Sequence, residues 1–196
     1  MRLPDLLIIR HGETEWNFQG RMQGALNSDL TPHGHAQARE VNVLLADAGL
    51  TPDHRAWCSP QGRARQTAEL ALAGHFDTWQ TDARLSEVSV GQYEGLLFED
   101  ALAEHHQTRP QDGPFDWHFH APGGDNWHDF QGRIAAWLSE LQAPAVVVTH
   151  GITSRVMRAI ALGLGRQGVQ DLPGGQGIIH RIRDGKADIL APLPAS

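Results

Sequence analysis

Two short runs along the chain are apolar without alternation. Residues 6–9 read Leu-Leu-Ile-Ile, and residues 145–149 read Ala-Val-Val-Val-Thr. Unbroken runs of this length, rich in branched side chains, predict strands buried on both faces, as in a parallel sheet covered by helices. Between them the period changes. Val41, Leu44, Leu45 and Ala48 keep helical spacing within residues 31–48, a stretch that opens with Thr31-Pro32 and stops at Gly49. A capping hydroxyl followed by proline is a helix start, and glycine is a helix stop. The same start at Ser59-Pro60 predicts a helix over residues 59–73, with a short strand at residues 55–58 before it. Further helices are expected over residues 127–141 and 153–164, and residues 177–190 read as a β-hairpin.

Strands alternating with helices predict an α/β three-layer sandwich, its mostly parallel central sheet flanked by helices. Residues 105–126 break the pattern, with three prolines, three glycines, four histidines and three acids in no clear period. That composition predicts a loop or lid. The organisation expected is one domain over residues 1–196 with a small lid insertion at about residues 95–130.

Composition narrows the class. The chain has 196 residues, 40% of them hydrophobic and 20% charged, and no run approaches the ~18 apolar residues that a membrane helix needs. Arg10 follows the first apolar run at once, unlike a signal peptide. The single cysteine, Cys58, excludes an internal disulfide and a multi-cysteine zinc site, and it reads as a small buried hydrophobe. Together these features point to a cytoplasmic protein. A formal charge of −7 without a basic run argues against nucleic acid and anionic membranes as partners. A small anionic substrate remains open, because a few converging cations make a local field.

Candidate chemistry sits at the strand ends. The two buried strands finish alike, in Arg10-His11-Gly12 and Thr149-His150-Gly151. Ligands of open α/β sheets bind beyond the carboxyl ends of the strands, so the two histidines can face one pocket, and Gly12 and Gly151 let the backbone come close to a ligand. Arg63 falls in the first turn of a predicted helix, where free N–H groups favour an anion. Arg10, Arg63 and the two histidines together describe a phosphate-sized anion site.

The block Arg10-His11-Gly12-Glu13-Thr14-Glu15-Trp16-Asn17 resembles the opening motif of the histidine phosphatase superfamily, in its branch related to cofactor-dependent phosphoglycerate mutase. The likeness continues through residues 21–24 and 30–34, the arginine block Ser59-Pro60-Gln61-Gly62-Arg63, then Leu85-Ser86-Glu87 with Gly91-Gln92-Tyr93-Glu94-Gly95, and Thr149-His150-Gly151. Six ordered blocks carry far more weight than one Arg-His-Gly.

The resemblance implies that His11 takes the phosphoryl group and that Arg10, Asn17, Arg63 and His150, beside Gly151, hold its oxygens. Glu87 would be the general acid, and Gln23 would line the substrate side. A neutral imidazole can attack phosphorus when its other nitrogen donates to a backbone carbonyl. Cations on the three equatorial oxygens meet the main need of phosphoryl transfer. A leaving alkoxide needs a proton, and a neighbouring dianionic phosphate helps a carboxyl to hold one. No metal or other cofactor is expected.

Several residues invite other readings. Arg65 is expected to make a structural or surface contact, and Glu94 to belong to a structural block. His118, His120 and His128 suggest a metal, but their spacing matches no tight zinc pattern, so solvated or lid histidines are expected. Trp117 and Trp127 read as exposed, available to an interface or to pocket closure. Asp125 and Asn126 stand where many relatives carry Glu-Ser, which bears on the substrate. The reaction expected is hydrolysis of a small phosphomonoester by a monomer or homodimer. The first alternative is a mutase, which would use bisphosphoglycerate. It is disfavoured because the expected lid offers only Arg109 as an arginine and no lysine. The second alternative, a silent phospho-ligand binding module, should have lost one of the residues named above, and none is missing.

Overall fold

The computed structural model describes residues 3–192. Its strands are β1 (Leu6–Arg10), β2 (Arg55–Cys58), β3 (Gln80–Thr81), β4 (Ala145–Thr149), β5 (Ile179–Arg183) and β6 (Lys186–Leu190). Its helices are α1 (Glu15–Phe18), α2 (Pro32–Asp47), α3 (Gly62–Ala71), α4 (Phe98–Thr108), α5 (Trp127–Ser139), α6 (Gly151–Ala161) and α7 (Arg166–Asp171). The strands form one sheet in the order β3-β2-β4-β1-β5-β6. Its first four members run parallel, and the terminal hairpin adds two antiparallel strands. The hairpin turns at Asp184-Gly185, both at positive φ, the pairing a tight two-residue turn demands.

Both faces of the sheet are covered, as the unbroken apolar runs require. Leu7, Ile9, Val146 and Val148 pack with α2 and α3 through Val41, Leu45, Ala64 and Ala68. Leu6, Ile8, Ala145 and Val147 face the other way, onto Ile134 and Trp137 of α5 and Val156 and Met157 of α6. Alternate residues of one strand thus enter two separate cores. After β1 the chain leaves toward the α2 face, whereas after β4 it leaves toward the α6 face. The neighbouring ends of β1 and β4 therefore mark the switch point at which a crevice opens.

Two helix boundaries differ from the sequence expectation. The helix expected over residues 59–73 begins only at Gly62, capped by Gln61 without a side-chain bond. Ser59 is not its cap, because its hydroxyl is engaged elsewhere. The helix expected from residue 153 starts two residues earlier, directly after His150.

The expected lid carries more regular structure than its composition suggested. Its first residues continue α4, residues 116–119 form a 3₁₀ turn, and Phe115, Trp117 and Phe119 are buried. Trp117 has no exposed surface at all, so it is a core residue and not an interface tryptophan. Edge-on aromatic contacts from Phe115 and Phe119 to Trp127 tie the segment to α5. Stacking of this kind follows no sequence period, which is why composition alone suggested a loop. No helix among the described residues is long and apolar enough to cross a membrane.

Candidate active site

The parallel pairing of β1 with β4 sets Arg10 opposite Thr149, so His11 and His150 leave the sheet side by side. The His11 N–H donates to the Thr149 carbonyl at 2.9 Å, and the two rings stand 5.2 Å apart, tilted by 58°. Gly12 is required sterically: a Cβ there would run into the carbonyl oxygen of Gly34 in α2. Its own N–H donates to Thr67 Oγ1 at 3.0 Å, and Thr67 in turn donates to the Arg63 carbonyl at 2.8 Å.

His11 is oriented at both nitrogens. Nδ1 lies 2.8 Å from the Gly12 carbonyl, which only accepts, so Nδ1 carries the hydrogen. Nε2 is left with its lone pair, 3.3 Å from Arg63 Nε, which donates to it. Burial first, then the charges of Arg63 and Arg10, hold His11 well below the usual imidazole range despite the carbonyl contact. The ring is therefore neutral at pH 7, in the tautomer that presents Nε2 as a nucleophile. His150 is also kept neutral, by burial and by Arg63, His11 and Arg10. Its Nε2 shares a 2.7 Å hydrogen bond with Ser59 Oγ, while Nδ1 is buried without a partner.

Arg63 is held by carbonyls. Nη1 donates to Leu26 at 2.6 Å and Nη2 to Gly24 at 2.9 Å, and the side chain is almost fully buried. Burial lowers its pKa to about 10, so its charge persists at neutral pH. Arg10 Nε is buried without a partner. Asn17 Oδ1 accepts the Thr14 N–H in a capping box at α1, and also accepts from Gln176 Nε2 at 3.3 Å. Gln23 Nε2 donates to Thr14 Oγ1 at 2.8 Å, leaving its Oε1 buried and unpaired.

Glu87 reaches the site from the loop after a 3₁₀ turn at Ala83–Leu85. Its carboxylate accepts from the N–H groups of Ile152 and Thr153 and from Thr153 Oγ1, at 2.9–3.0 Å, at the start of α6. Arg133 of α5 fixes that loop by donating to the carbonyls of Arg84, Ser86 and Glu87. Glu94, by contrast, braces the backbone, accepting from Ala25 N, Ser89 Oγ and Val90 N. Asp125 accepts from Ser89 N at 3.0 Å, and Asn126 caps α5. Both substituted positions therefore support the wall behind Glu87.

Arg10, His11, Asn17, Gln23, Arg63, Glu87 and Gly151 line one cavity of about 400 Å³, and the buried His150 ring lies beside that of His11, 5.2 Å away. The three suspect histidines are dispersed. His118 lines the cavity, His120 pairs with Asp112 at 2.7 Å, and His128 is exposed on α5. Among the described residues no three His, Cys, Asp or Glu side chains are grouped to hold a metal ion.

Several positioning residues escaped the sequence reading. Ser59, Gln61, Thr67 and Thr153 lie inside or beside motif blocks, so their polarity was available as a signal. Gln61 accepts the Glu87 N–H at 2.8 Å. Gln176 donates to the His11 carbonyl at 3.0 Å, and neither it nor Arg133 has any local signal.

Comparison with known proteins agrees with this geometry. The family model described as histidine phosphatase superfamily (branch 1) matches residues 6–187. A 2-carboxy-D-arabinitol-1-phosphatase of Triticum aestivum is 31% identical over 170 residues, covering 83% of this chain but only 33% of that protein's length. A 2,3-bisphosphoglycerate-dependent phosphoglycerate mutase of Azorhizobium caulinodans is 28% identical over 189 residues, covering 90% of this chain and 91% of the relative. The solved structure of the alpha-ribazole phosphatase from Shigella flexneri superposes with a TM-score of 0.80 at 25% identity, covering 96% of each chain. With its two histidines, its arginines and its sheet so arranged, the chain belongs to the histidine phosphatase superfamily, branch 1.

Proposed function

We propose that the chain is a phosphomonoester phosphatase that works through a phosphohistidine on His11. The observation that carries this reading is the neutral His11 imidazole, fixed by the Gly12 carbonyl so that Nε2 faces the cavity. Nε2 attacks phosphorus as the P–O bond to the leaving alcohol breaks. Arg10, Arg63, His150 and Asn17 meet the charge on the transferring oxygens.

Glu87 gives the leaving oxygen its proton. That proton reaches Glu87 with the monoanionic substrate or from solvent, one carboxylate oxygen giving up a helix N–H to hold it. Water then attacks the phosphohistidine, Glu87 takes a proton from it, and inorganic phosphate leaves. The charge is met by side chains of the chain itself, so the scheme uses neither a metal nor another cofactor. The surroundings suit a small soluble phosphomonoester in the cytoplasm, and no contact of this scheme calls on nucleic acid, a membrane or a second subunit.

Hydrolysis is preferred over the mutase reading because Arg109 turns away from the cavity. Its Nε donates to Asp112 at 2.9 Å, so the segment supplies no arginine to retain a phosphorylated intermediate against water. The test is p-nitrophenyl phosphate turnover, with acid-labile label trapped on the protein from ³²P-substrate. Both signals should vanish in His11→Ala. Turnover that survives His11→Ala sinks the reading, and phosphoglycerate isomerisation outrunning hydrolysis replaces it with the mutase.

A further inference from the structure

The cavity continues past the reacting centre, between α6 and β5, where Ser154, Arg158, Gly174, Gly175 and His180 line it. Arg158 is engaged there at all three nitrogens. Nε donates to the Ser154 carbonyl at 3.2 Å, Nη1 contacts His180 Nδ1 at 3.3 Å, and Nη2 donates to the Pro173 carbonyl at 2.7 Å. One guanidinium thus ties the helix, the glycine turn and the strand together, and it brings Ser154 and His180 to the same place. The contact also assigns the His180 ring. A guanidinium only donates, so Nδ1 accepts and the ring hydrogen sits on Nε2. Burial first, then the charges of Arg158 and Arg155, hold the ring at a pKa of about 4, so it is neutral at pH 7. Its Nε2–H has no hydrogen-bond partner among the described residues.

Ser154 is in the same condition. It is 2% exposed, and its hydroxyl is buried without a hydrogen-bond partner. A serine inside a helix ordinarily returns its hydrogen to the carbonyl one turn back. Here that carbonyl, on His150, takes the Ser154 N–H at 2.9 Å, and the hydroxyl does not join it. The neighbouring buried positions of α6 are filled by Val156 and Met157, so packing alone did not require a polar side chain. A buried polar group left unmet beside a cavity calls for a partner from outside the chain.

We infer that Ser154 Oγ and His180 Nε2–H form a neutral subsite for a hydroxyl group, and that the substrate is the phosphomonoester of a polyol or sugar with at least one further free hydroxyl. The serine hydroxyl both donates and accepts, whereas the ring N–H only donates. An incoming hydroxyl can therefore accept from the ring and exchange a hydrogen bond with the serine. An apolar alcohol would leave both groups unmet, which is how a site built for a hydroxyl rejects the analogue that lacks it. Ser154 lies three residues beyond Gly151, where an added Cβ would stand 3.4 Å from the Arg10 guanidinium. At ~1.5 Å rise per residue the subsite is about 4.5 Å farther along the helix axis, within reach of a short carbon chain. The inference rests on the phosphatase reading for the phosphoryl end of the cavity.

Calorimetric binding to His11→Ala protein tests it without turnover. The probes are n-butyl phosphate and D-erythritol 4-phosphate, which share a carbon chain and differ only in its hydroxyls. Erythritol 4-phosphate should bind about fivefold to tenfold more tightly, the effect of hydrogen bonds between neutral groups. Adding Ser154→Ala should bring that ratio to within about twofold of unity, whereas Ser154→Thr, which keeps a hydroxyl, should retain part of it. His180→Phe keeps a ring and removes the N–H, and it should lower the ratio as well. A serine of purely structural importance would weaken both probes alike and leave the ratio where it was. Equal affinities for the two probes, a ratio that survives Ser154→Ala or His180→Phe, or no binding of either probe at millimolar concentration overturns the subsite. Phosphate release by the wild-type protein judges the phosphatase reading separately.

Discussion

The ends of β1 and β4 carry the same His-Gly pair, lie in register and differ in how the histidine is held. At the end of β1, His11 has both ring nitrogens assigned, one donating to the Gly12 carbonyl and one facing Arg63. At the end of β4, His150 has one nitrogen on Ser59 and the other buried without a partner. The glycines differ as well. Gly12 is pressed against the backbone of Gly34, whereas a Cβ at Gly151 would meet side chains alone, the Arg10 guanidinium at 3.4 Å and Glu87 Oε2 at 3.7 Å. The two strand ends carry identical residues, and the difference between them lies in their neighbours.

The most drastic way to break this comparison is to remove each imidazole. His11→Ala is expected to eliminate turnover and phosphoenzyme, by roughly 10⁴-fold or more, as loss of a nucleophile does. His150→Ala should reduce kcat by about 10²–10³-fold while still trapping label on His11, the loss of one charge-stabilising donor. Absence of label in His150→Ala would make the two ends equivalent.

Next come the glycines. Gly12→Ala forces a methyl group onto backbone, so it should cost about 3 kcal/mol or more in urea unfolding, because Gly34 cannot rotate away. Gly151→Ala should unfold within about 0.5 kcal/mol of the parent and instead raise KM, as the methyl crowds Arg10. Equal stabilities for the two variants would remove the asymmetry.

A smaller effect is expected at Ser59, whose hydroxyl meets His150 Nε2 at 2.7 Å and more weakly accepts the Gln61 N–H at 3.3 Å. Ser59→Ala should lower kcat by about tenfold, the scale of one hydrogen bond. It should add little to His150→Ala in a double-mutant cycle, and Ser59→Thr should restore part of the loss. Full additivity would place Ser59 outside the His150 contact.

The mildest test is pH. Burial depresses the pKa of His11, His150 and His118, and brings that of His180 to about 4. Each folded value lies below the unfolded ~6.5, so the unfolded chain binds more protons between the two. Stability is then fully present above pH ~6.5 and declines as pH falls below it, by at most ~1.4 kcal/mol per unit for each histidine. Thermal midpoints should be flat from pH 8 to 7 and drop between pH 6.5 and 4. A further loss below pH 3.8 is expected from Asp112: burial pushes its carboxyl up, but hydrogen bonds from His105, His120 and Arg109 outweigh this together and hold it at about 2. A midpoint that rises on acidification to pH 5 would mean that the strand-end histidines are not buried neutral.

Legibility followed the same division. The β1 end was readable because strand, histidine and glycine are contiguous, and β4 repeats them. Arg63 was readable from its block even though the helix start was misjudged. Ser59-Pro60 has the chemistry of a cap, but here the hydroxyl turns to His150 and the helix waits for Gly62. Gln176 reaches the His11 carbonyl from 165 residues away, and no local pattern encodes such a contact. The inner packing of the expected lid was not legible, because its composition has no period, whereas its conformation is set by Phe115, Trp117 and Phe119 entering the core.

Trp117 has an optical consequence. Its indole is sealed from solvent and lies 4.3 Å from the ring of His118, tilted by 37°, and His118 forms part of the cavity wall. An indole kept from water emits toward the blue, and a neighbouring imidazole alters its brightness according to its distance and protonation. Trp117 thus stands one residue behind the cavity wall, and with the other five tryptophans of the chain replaced its emission can follow that wall without a label.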